Sequence, residues 1–560
     1  MDELSLKTNL FYDVKNDRIV GLEDFGSGTR TNKVANQALV LLLRSISGKW
    51  KQPLGYALVN GGCPREEMEE LMKDAIDKVE GIGLTVVVVM SDMGSNFQSL
   101  ATHLGVTPEK PWFVHNGKKY FLMFDPPHLI KCIRNNLMNY KFQFGEYTAQ
   151  WQDIVEFFNK DKKLPIRAAP KITEKHIRPN NFCKMKVKYA TQILSHTVAA
   201  SLCMYVSVGG LPPSAAGTAE FIFKFDSIFD CLNISTINSP KALKRAMTTT
   251  SSHQSYLEQA INFIKELQVF DGNKEVTGRI KCLKGWLITI KAVLLIWNLL
   301  HQNHGFKFLL TRRLNTDPLE NFFGSIRQQG GNSDNPTPIQ FTHAFRKLFF
   351  SSFLNSSTGN CADDFDNLLA QFADPKKAKV PVIAATPKIS QNLAIPTEDY
   401  REKEVSDNLL KDNPIAYVAG YLLHKCFLSH DCSTCKAAMV TDKLDDNRNL
   451  LCLFKAYESE KCFGGLLAPA APYLQYIKNL EDLFVKDFSM FTKHNAIGKT
   501  ILSKLQGVAV PFTHCTEFPL QYLLKLFLRM RIYYTIKFAN REFSASKKKK
   551  SKKYIKVAHL

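Results

Sequence analysis

The sequence predicts an α/β protein whose mixed sheet is interrupted by a long helical segment and followed by a separate, mainly helical C-terminal unit. Three observations predict this. Short apolar and β-branched runs alternate with helix-like stretches up to about residue 130. Strand signals then nearly vanish from about 140 to 313, while helical periodicity continues. Finally, residues 375 to 397 are punctuated by Pro375, Pro381, Pro387 and Pro396 with few large side chains, the composition of a linker. The length, 560 residues, allows several domains.

In chain order, Leu4 to Tyr12, Leu39 to Leu43 and Leu54 to Val59 read as strands, the last ending at the turn Asn60-Gly61-Gly62. Pro64 to Glu80 places Met68, Leu71, Met72, Ala75 and Val79 near helical spacing. Leu84 to Met90 (LTVVVVM) is a β-branched run and predicts a buried strand; Tyr120 to Phe124 predicts the next. Helices are expected over Tyr147–Phe158, Lys184–Ser207, Ala219–Leu232, Ser255–Leu267 and Leu287–Leu300, and another from Pro318. Lys547 to Lys553, with six Lys in seven residues, reads as a disordered basic tail. It is also open to reading as a nuclear localisation signal or a DNA-binding arm.

Lys plus Arg is 73 against 52 Asp plus Glu, a formal charge of +21, so a polyanion is the first partner to consider. The most apolar run, Trp286 to Leu300, contains Lys291 and Asn298 and is shorter than the roughly 20 residues a bilayer needs. It reads as a buried helix, and nucleic acid moves ahead of a membrane. The 13 Cys are scattered and the start is acidic, which argues against a secreted disulfide scaffold.

Three acids stand at strand ends: Asp2, Asp92 after LTVVVVM, and Asp125 after YFLMF. Asp317 and Glu320 form a further pair in Asp317-Pro318-Leu319-Glu320. Converging carboxylates hold divalent metals for phosphoryl displacement. The same positions suit helix capping: Asp125 before Pro126, and Asp317 and Glu320 as a capping box. Spacing alone leaves both readings open. A P-loop is excluded, because no Gly-x-x-x-x-Gly-Lys-Ser/Thr string occurs. Lys171, Lys175, Arg178, Lys184, Lys186 and Lys188 face only Glu174 in their stretch, so phosphate neutralisation, a DNA contact and a solvated face all remain open. Cys432-Ser433-Thr434-Cys435 is a single CxxC, with His424, Cys426 and His430 nearby and Cys452, Cys462, His514 and Cys515 later. A structural zinc on Cys432 and Cys435 and plain thiols both stay open.

Several strings, in order, resemble the P-element transposase family, which includes THAP-domain relatives. They are Asp2-Glu3-Leu4, Trp50-Lys51-Gln52-Pro53, Ser91-Asp92-Met93-Gly94-Ser95-Asn96, Asp125-Pro126-Pro127-His128-Leu129-Ile130-Lys131, Lys186-Val187-Lys188-Tyr189-Ala190-Thr191-Gln192, Asp317-Pro318-Leu319-Glu320-Asn321-Phe322-Phe323-Gly324-Ser325 and Arg327-Gln328-Gln329-Gly330-Gly331. Asn335-Pro336-Thr337-Pro338 and Gln340-Phe341 continue the last.

The resemblance, which covers residues 2 to about 345, implies an RNase H-like catalytic domain interrupted by an all-helical GTP-binding insertion; the mainly helical C-terminal domain is read from the sequence itself. The expected bounds are 1–140 and 314–374 for the two RNase H-like parts, with the insertion at 141–313. A linker (375–404), a C-terminal domain (405–545) and a basic tail (546–560) follow. The resemblance also implies that Asp2, Asp92 and Glu320 are the catalytic, Mg²⁺- or Mn²⁺-binding acids, with Asp125 near the site but outside the trio. His128 is expected to be structural. Lys171, Lys186, Val187, Asp230, Asn233 and Asp317 are the implied nucleotide contacts, with Asp230 and Asn233 beside the guanine. The implied partners are transposon-end and target DNA and GTP; homo-oligomerisation and nuclear localisation are further expectations.

The family's N-terminal THAP domain is expected to be missing, whether by truncation, domestication or a misassigned start. The implied reaction is cleavage of transposon-end DNA by water, then strand transfer by the freed 3′-hydroxyl. The alternative is a catalytically silent, domesticated nuclear protein that binds GTP and DNA.

Overall fold

The computed structural model describes residues 1–560 except 14–16, 27–29, 49, 332, 355–406, 444–445, 457–464, 492–495, 512–514 and 558–560. The linker expected at 375–404 lies outside the described residues. The chain divides into two compact units, one of residues 1–155, 171–199 and 214–392, the other of 156–170, 200–213 and 393–560.

The first unit opens with β1 (Asp2–Ser5), the small hairpin β2 (Phe11–Asp13) and β3 (Arg18–Val20), then β4 (Leu22–Asp24), β5 (Arg30–Val34), β6 (Gln37–Arg44) and β7 (Lys51–Val59). One antiparallel sheet has the order β1-β6-β7-β4-β5, with Asp2 opposite Val40 and Ser5 opposite Gln37. The expected turn follows β7, with Gly61 at φ +76°, a conformation that favours glycine. It leads into α1 (Arg65–Gly81), which buries Met68, Met72, Ile76 and Val79 on one face.

Next come β8 (Val88–Ser91), α2 (Ser95–His103), β9 (Trp112–His115), β10 (Lys118–Phe124) and α3 (Pro126–Leu137). β10 pairs in parallel with β8 and antiparallel with β9. The Met1 nitrogen donates to Met90 O at 2.7 Å and brings β1 alongside β8. Leu41–Leu43 of β6 and Val88–Met90 of β8 line a cavity of about 140 Å³ together with Met72, Ile76 and Val79. The LTVVVVM run is strand only from Val88. Its first residues leave α1 through Gly83, at φ +86°, with Leu84 N–H donating to Val79 O.

Then follow β11 (Lys141–Phe144), β12 (Tyr147–Ala149), α4 (Trp151–Asp161), α5 (Glu174–Ile177), α6 (Asn181–Met185), α7 (Val187–Ile193), α8 (His196–Ser207), α9 (Ala215–Leu232), α10 (His253–Glu266), β13 (Gln268–Asp271), β14 (Lys274–Glu275) and α11 (Lys281–His304). This region is largely helical but carries a small antiparallel sheet, β12-β11-β13-β14, which the sequence reading did not expect. Its strands are too short to register as apolar runs. They close through tight turns at Gly145 (φ +51°) and Gly272 (φ +60°). The single helix expected over Lys184–Ser207 is three pieces, broken at Lys186, which is extended, and before Ser195, whose hydroxyl receives Val198 N–H.

Helix α11 is long and apolar enough to cross a bilayer, but 67% of its most apolar window is buried in the protein. It packs on β10, α3 and α10, and Trp286 and Trp297 are fully buried. Helices α12 (Asp317–Gln329) and α13 (Pro338–Leu354) return to the first sheet. Leu319, Phe323 and Ile326, at helical spacing, pack with Phe341 and Phe345 onto Leu4, Val40 and Leu58.

The second unit contains α14 (Asp407–Phe427), α15 (Ser433–Met439), α16 (Leu450–Lys455), α17 (Ala471–Phe491), α18 (Ile497–Gln506) and α19 (Leu520–Val557). Leu422, Tyr473, Ile477, Leu480, Ile501, Leu523 and Phe527 belong to its core. Helix α19 runs through Lys547–Lys553, so the backbone expected to be disordered is helical as far as Val557. Lysine is a good helix former, and the segment extends a helix already anchored by packing.

Candidate active site

Three elements bring acids to one edge of the strands. Asp2 lies on β1. Asp92 directly follows β8 and accepts Gly94 N–H at 2.8 Å, so it shapes the turn into α2 without capping that helix. Glu320 sits in the first turn of α12, one residue from the buried Leu319 that anchors the helix to the sheet.

The imidazole of His128 stands among them. Its Nε2 donates to Glu320 Oε1 at 2.8 Å, and its Nδ1 lies 3.9 Å from Asp92 Oδ2. Its charge is also felt by Asp2. Burial, and then the negative charge of Asp92, raise the Asp2 carboxyl to about 7. The hydrogen bond from His128 holds Glu320 below its ordinary range. Burial alone would lower His128, but the Glu320 hydrogen bond and the Asp125 charge outweigh it and leave the imidazole raised.

Asp125 is buried and ties the parts together. Its own N–H donates to Ser91 O at the end of β8. One carboxylate oxygen accepts His128 N–H at 3.1 Å, the helix cap expected before Pro126. The other accepts Thr316 N–H at 2.8 Å, at the entrance to α12. Asp125 thus fixes the starts of both helices that carry His128 and Glu320, and burial pushes its carboxyl up to about 6. The capping box that the Asp317-Pro318-Leu319-Glu320 string left open does not form. Thr316 precedes the helix, Asp317 is its first residue and is held by Arg312 at 3.1 Å, and Glu320 turns to His128. Sequence reasoning gave His128 a structural role; the structure places it between two of the acids.

The expected nucleotide contacts come from several elements. Lys171 is exposed, Lys186 is exposed with its ammonium 4.4 Å from the Phe182 ring, and Val187 begins α7. Asp230 and Asn233 stand at the end of α9. Helices α7 and α9 both pack against α3. Asp230 is buried with both oxygens engaged, Oδ2 by Lys241 at 2.8 Å and Oδ1 by Lys244 at 3.1 Å. Asn233 Oδ1 is buried without a hydrogen-bond partner. Asp317 is on α12, next to the acids. Cys432 and Cys435 belong to the second unit, at the start of α15.

Comparison with known proteins bears on these arrangements. Residues 1–105 match the family model for a TNP-like RNase H N-terminal domain, 127–246 that for a TNP-like GTP-binding insertion domain, and 313–346 that for a TNP-like RNase H C-terminal domain. The chain is 26% identical over 522 residues to the transposable element P transposase of Drosophila melanogaster, covering 91% of this chain and 64% of that protein. It is 29% identical over 367 residues to the human DNA transposase THAP9, covering 62% and 40% respectively. It thus spans less than two thirds of either relative. Among solved structures, the Drosophila P element transposase strand transfer complex matches with a TM-score of 0.55 at 27% identity, over 64% of this chain and 76% of that one. The fold is RNase H-like, split by a GTP-binding insertion domain.

Proposed function

The chain belongs to the P-element transposase family, and on that premise we propose that it is a metal-dependent DNA transposase acting through Asp2, Asp92 and Glu320. The observation that carries this reading is the gathering of these three acids, from β1, the end of β8 and α12, around His128. The donor set fits a hard divalent cation, Mg²⁺ or Mn²⁺. Asp2 and Asp92 repel each other while metal-free, and a dication relieves that repulsion. When bound, such ions activate the attacking oxygen and stabilise the leaving one in an in-line displacement at phosphorus.

The chain's own residues supply position and charge. Asp2, Asp92 and Glu320 would hold the ions. His128 keeps Glu320 ionised and oriented, and Asp125 fixes the helices that carry both. The attacking groups are water, for cleavage of transposon-end DNA, and then the freed 3′-hydroxyl, for strand transfer. No protein nucleophile is needed.

The reading includes GTP as cofactor in the insertion, with Lys171, Lys186 and Val187 toward the phosphates and Asp230 and Asn233 toward the base. The unpartnered, buried Asn233 Oδ1 supports a ligand there, since a guanine N–H would satisfy it. Asp230 can accept from guanine only if Lys241 or Lys244 moves aside. Asp317, bound to Arg312, is placed by this reading at the edge of the same nucleotide site. DNA as partner, homo-oligomerisation and nuclear localisation complete the proposal.

The test is cleavage or strand transfer on transposon-end DNA with and without Mg²⁺, using Glu320→Ala as control. The expected result is metal-dependent product that Glu320→Ala abolishes. Activity surviving in Glu320→Ala removes the carboxylate mechanism, and binding of GTP and DNA without cleavage favours the silent alternative.

A further inference from the structure

We propose that the second unit holds a structural zinc ion on His430, Cys432, Cys435 and Cys515. The sequence offered half a site, one CxxC. The fold completes it with a histidine two residues upstream of Cys432 and a cysteine 80 residues downstream of Cys435. One ligand atom from each residue lies within 4.8 Å of all the others.

The spacing suits a tetrahedron. With Zn–S near 2.3 Å and Zn–N near 2.0–2.1 Å, tetrahedral angles put nitrogen about 3.5 Å and sulfur about 3.8 Å from each neighbouring sulfur. His430 Nε2 is 3.3 Å from Cys435 Sγ and 3.6 Å from Cys515 Sγ. A disulfide would need two sulfurs about 2.0 Å apart and would leave the third sulfur and the imidazole without a role. Three soft sulfurs and one imidazole select zinc over the hard cations suited to the carboxylate site. Four protein donors fill the coordination sphere and leave no open position, which makes the site structural.

The surroundings support this. The backbone N–H groups of Cys435 and Thr434 donate to the Cys432 sulfur and fix its position. The Phe518 ring stands edge-on to His430, with centroids 5.7 Å apart. The ligands come from the segment after α14, the start of α15 and the loop before α19. One ion would therefore pin the entrance of α19 to the α14–α15 corner and close an 80-residue loop.

The full chain, purified reduced from zinc-supplemented medium, is expected to carry about one zinc by mass spectrometry of the metal. Replacement by Co²⁺ should give the visible bands of a tetrahedral thiolate site. Cys515→Ser and His430→Ala are expected to lose most of the metal, while Cys452→Ala, outside the cluster, keeps it. If the Cys515→Ser chain fails to fold, the wild type still decides: stripping its zinc with a chelator should lower its melting temperature, and restoring zinc should recover it. A soluble, folded, reduced wild type without zinc overturns the proposal, as does zinc retained in both His430→Ala and Cys515→Ser. A Cys432–Cys435 disulfide in the protein as isolated from reducing cells also overturns it.

Discussion

Asp2 is a buried acid that faces the negative charge of Asp92. Burial and Asp92 hold its carboxyl near 7 in the metal-free fold, against about 3.9 in an unfolded chain. Between those values the folded chain keeps a proton that the unfolded chain has lost. Metal-free stability therefore falls as pH rises from about 4 to about 7 and levels above that. Asp2→Asn removes the ionising group. Its melting temperature minus that of wild type, measured in chelator, is expected to grow between about pH 5 and about pH 7.5. A difference independent of pH would show that Asp2 is not the group responsible. Divalent-ion affinity should move the other way, tightening about tenfold per unit below pH 7, because a proton must leave first. Asp125 is a different case, since it positions both helices without belonging to the trio. Asp125→Ala leaves Thr316 N–H and His128 N–H without acceptors. Chemical denaturation should show a loss of about 1–3 kcal/mol, and metal-dependent cleavage should fall although all three acids remain. Unchanged cleavage would show that other contacts hold the helices. The Asp125 cap was legible in the sequence because Pro126 fixes where α3 starts. His128 was not, because its partner Glu320 is 192 residues away and no local pattern records that contact.

Helices and strands differ in how far local chemistry determined them. Helix α1 and strands β6, β7 and β10 fall where their apolar patterns placed them, since each meets at least one neighbour that lies close by in the chain. The β11–β14 sheet escaped notice because its segments meet across the whole insertion: Phe142 pairs with Val269. Its contact with α9 depends on one small residue. A side chain at Gly217 would meet Thr148 O at 2.5 Å, backbone against backbone, with no flexible group to yield. Gly217→Ala should therefore push α9 from β12 at a cost of about 1–3 kcal/mol. Because Asp230 and Asn233 ride on the far end of the same helix, guanine-nucleotide affinity should fall with it, as read by calorimetry with GTP. Wild-type affinity in a destabilised Gly217→Ala chain would separate the nucleotide site from this end of α9.

At the scale of the whole molecule, two long-range properties matter: which core each helix joins, and where the charge lies. Residues 156–170 and 200–213 belong to the second unit although the sequence reads them as part of one helical block. Hydrophobic period identifies a helix but does not name the core that receives it. Charge is simpler, because it sums without knowledge of the fold. Of the +21, six lysines lie in Lys547–Lys553, leaving +15 on the rest of the chain. If the body binds DNA, removing residues 546–560 should weaken binding and flatten its salt dependence without abolishing either. For the full chain the logarithm of the association constant should fall linearly with the logarithm of salt. Six to ten phosphate contacts would cost about 10³–10⁵ in affinity between about 50 and about 200 mM. Fluorescence anisotropy on labelled duplex, with full-length and shortened chains side by side, makes the measurement. A slope near zero in the shortened chain would assign DNA contact to the α19 extension alone and remove the carboxylate edge from the DNA-binding surface.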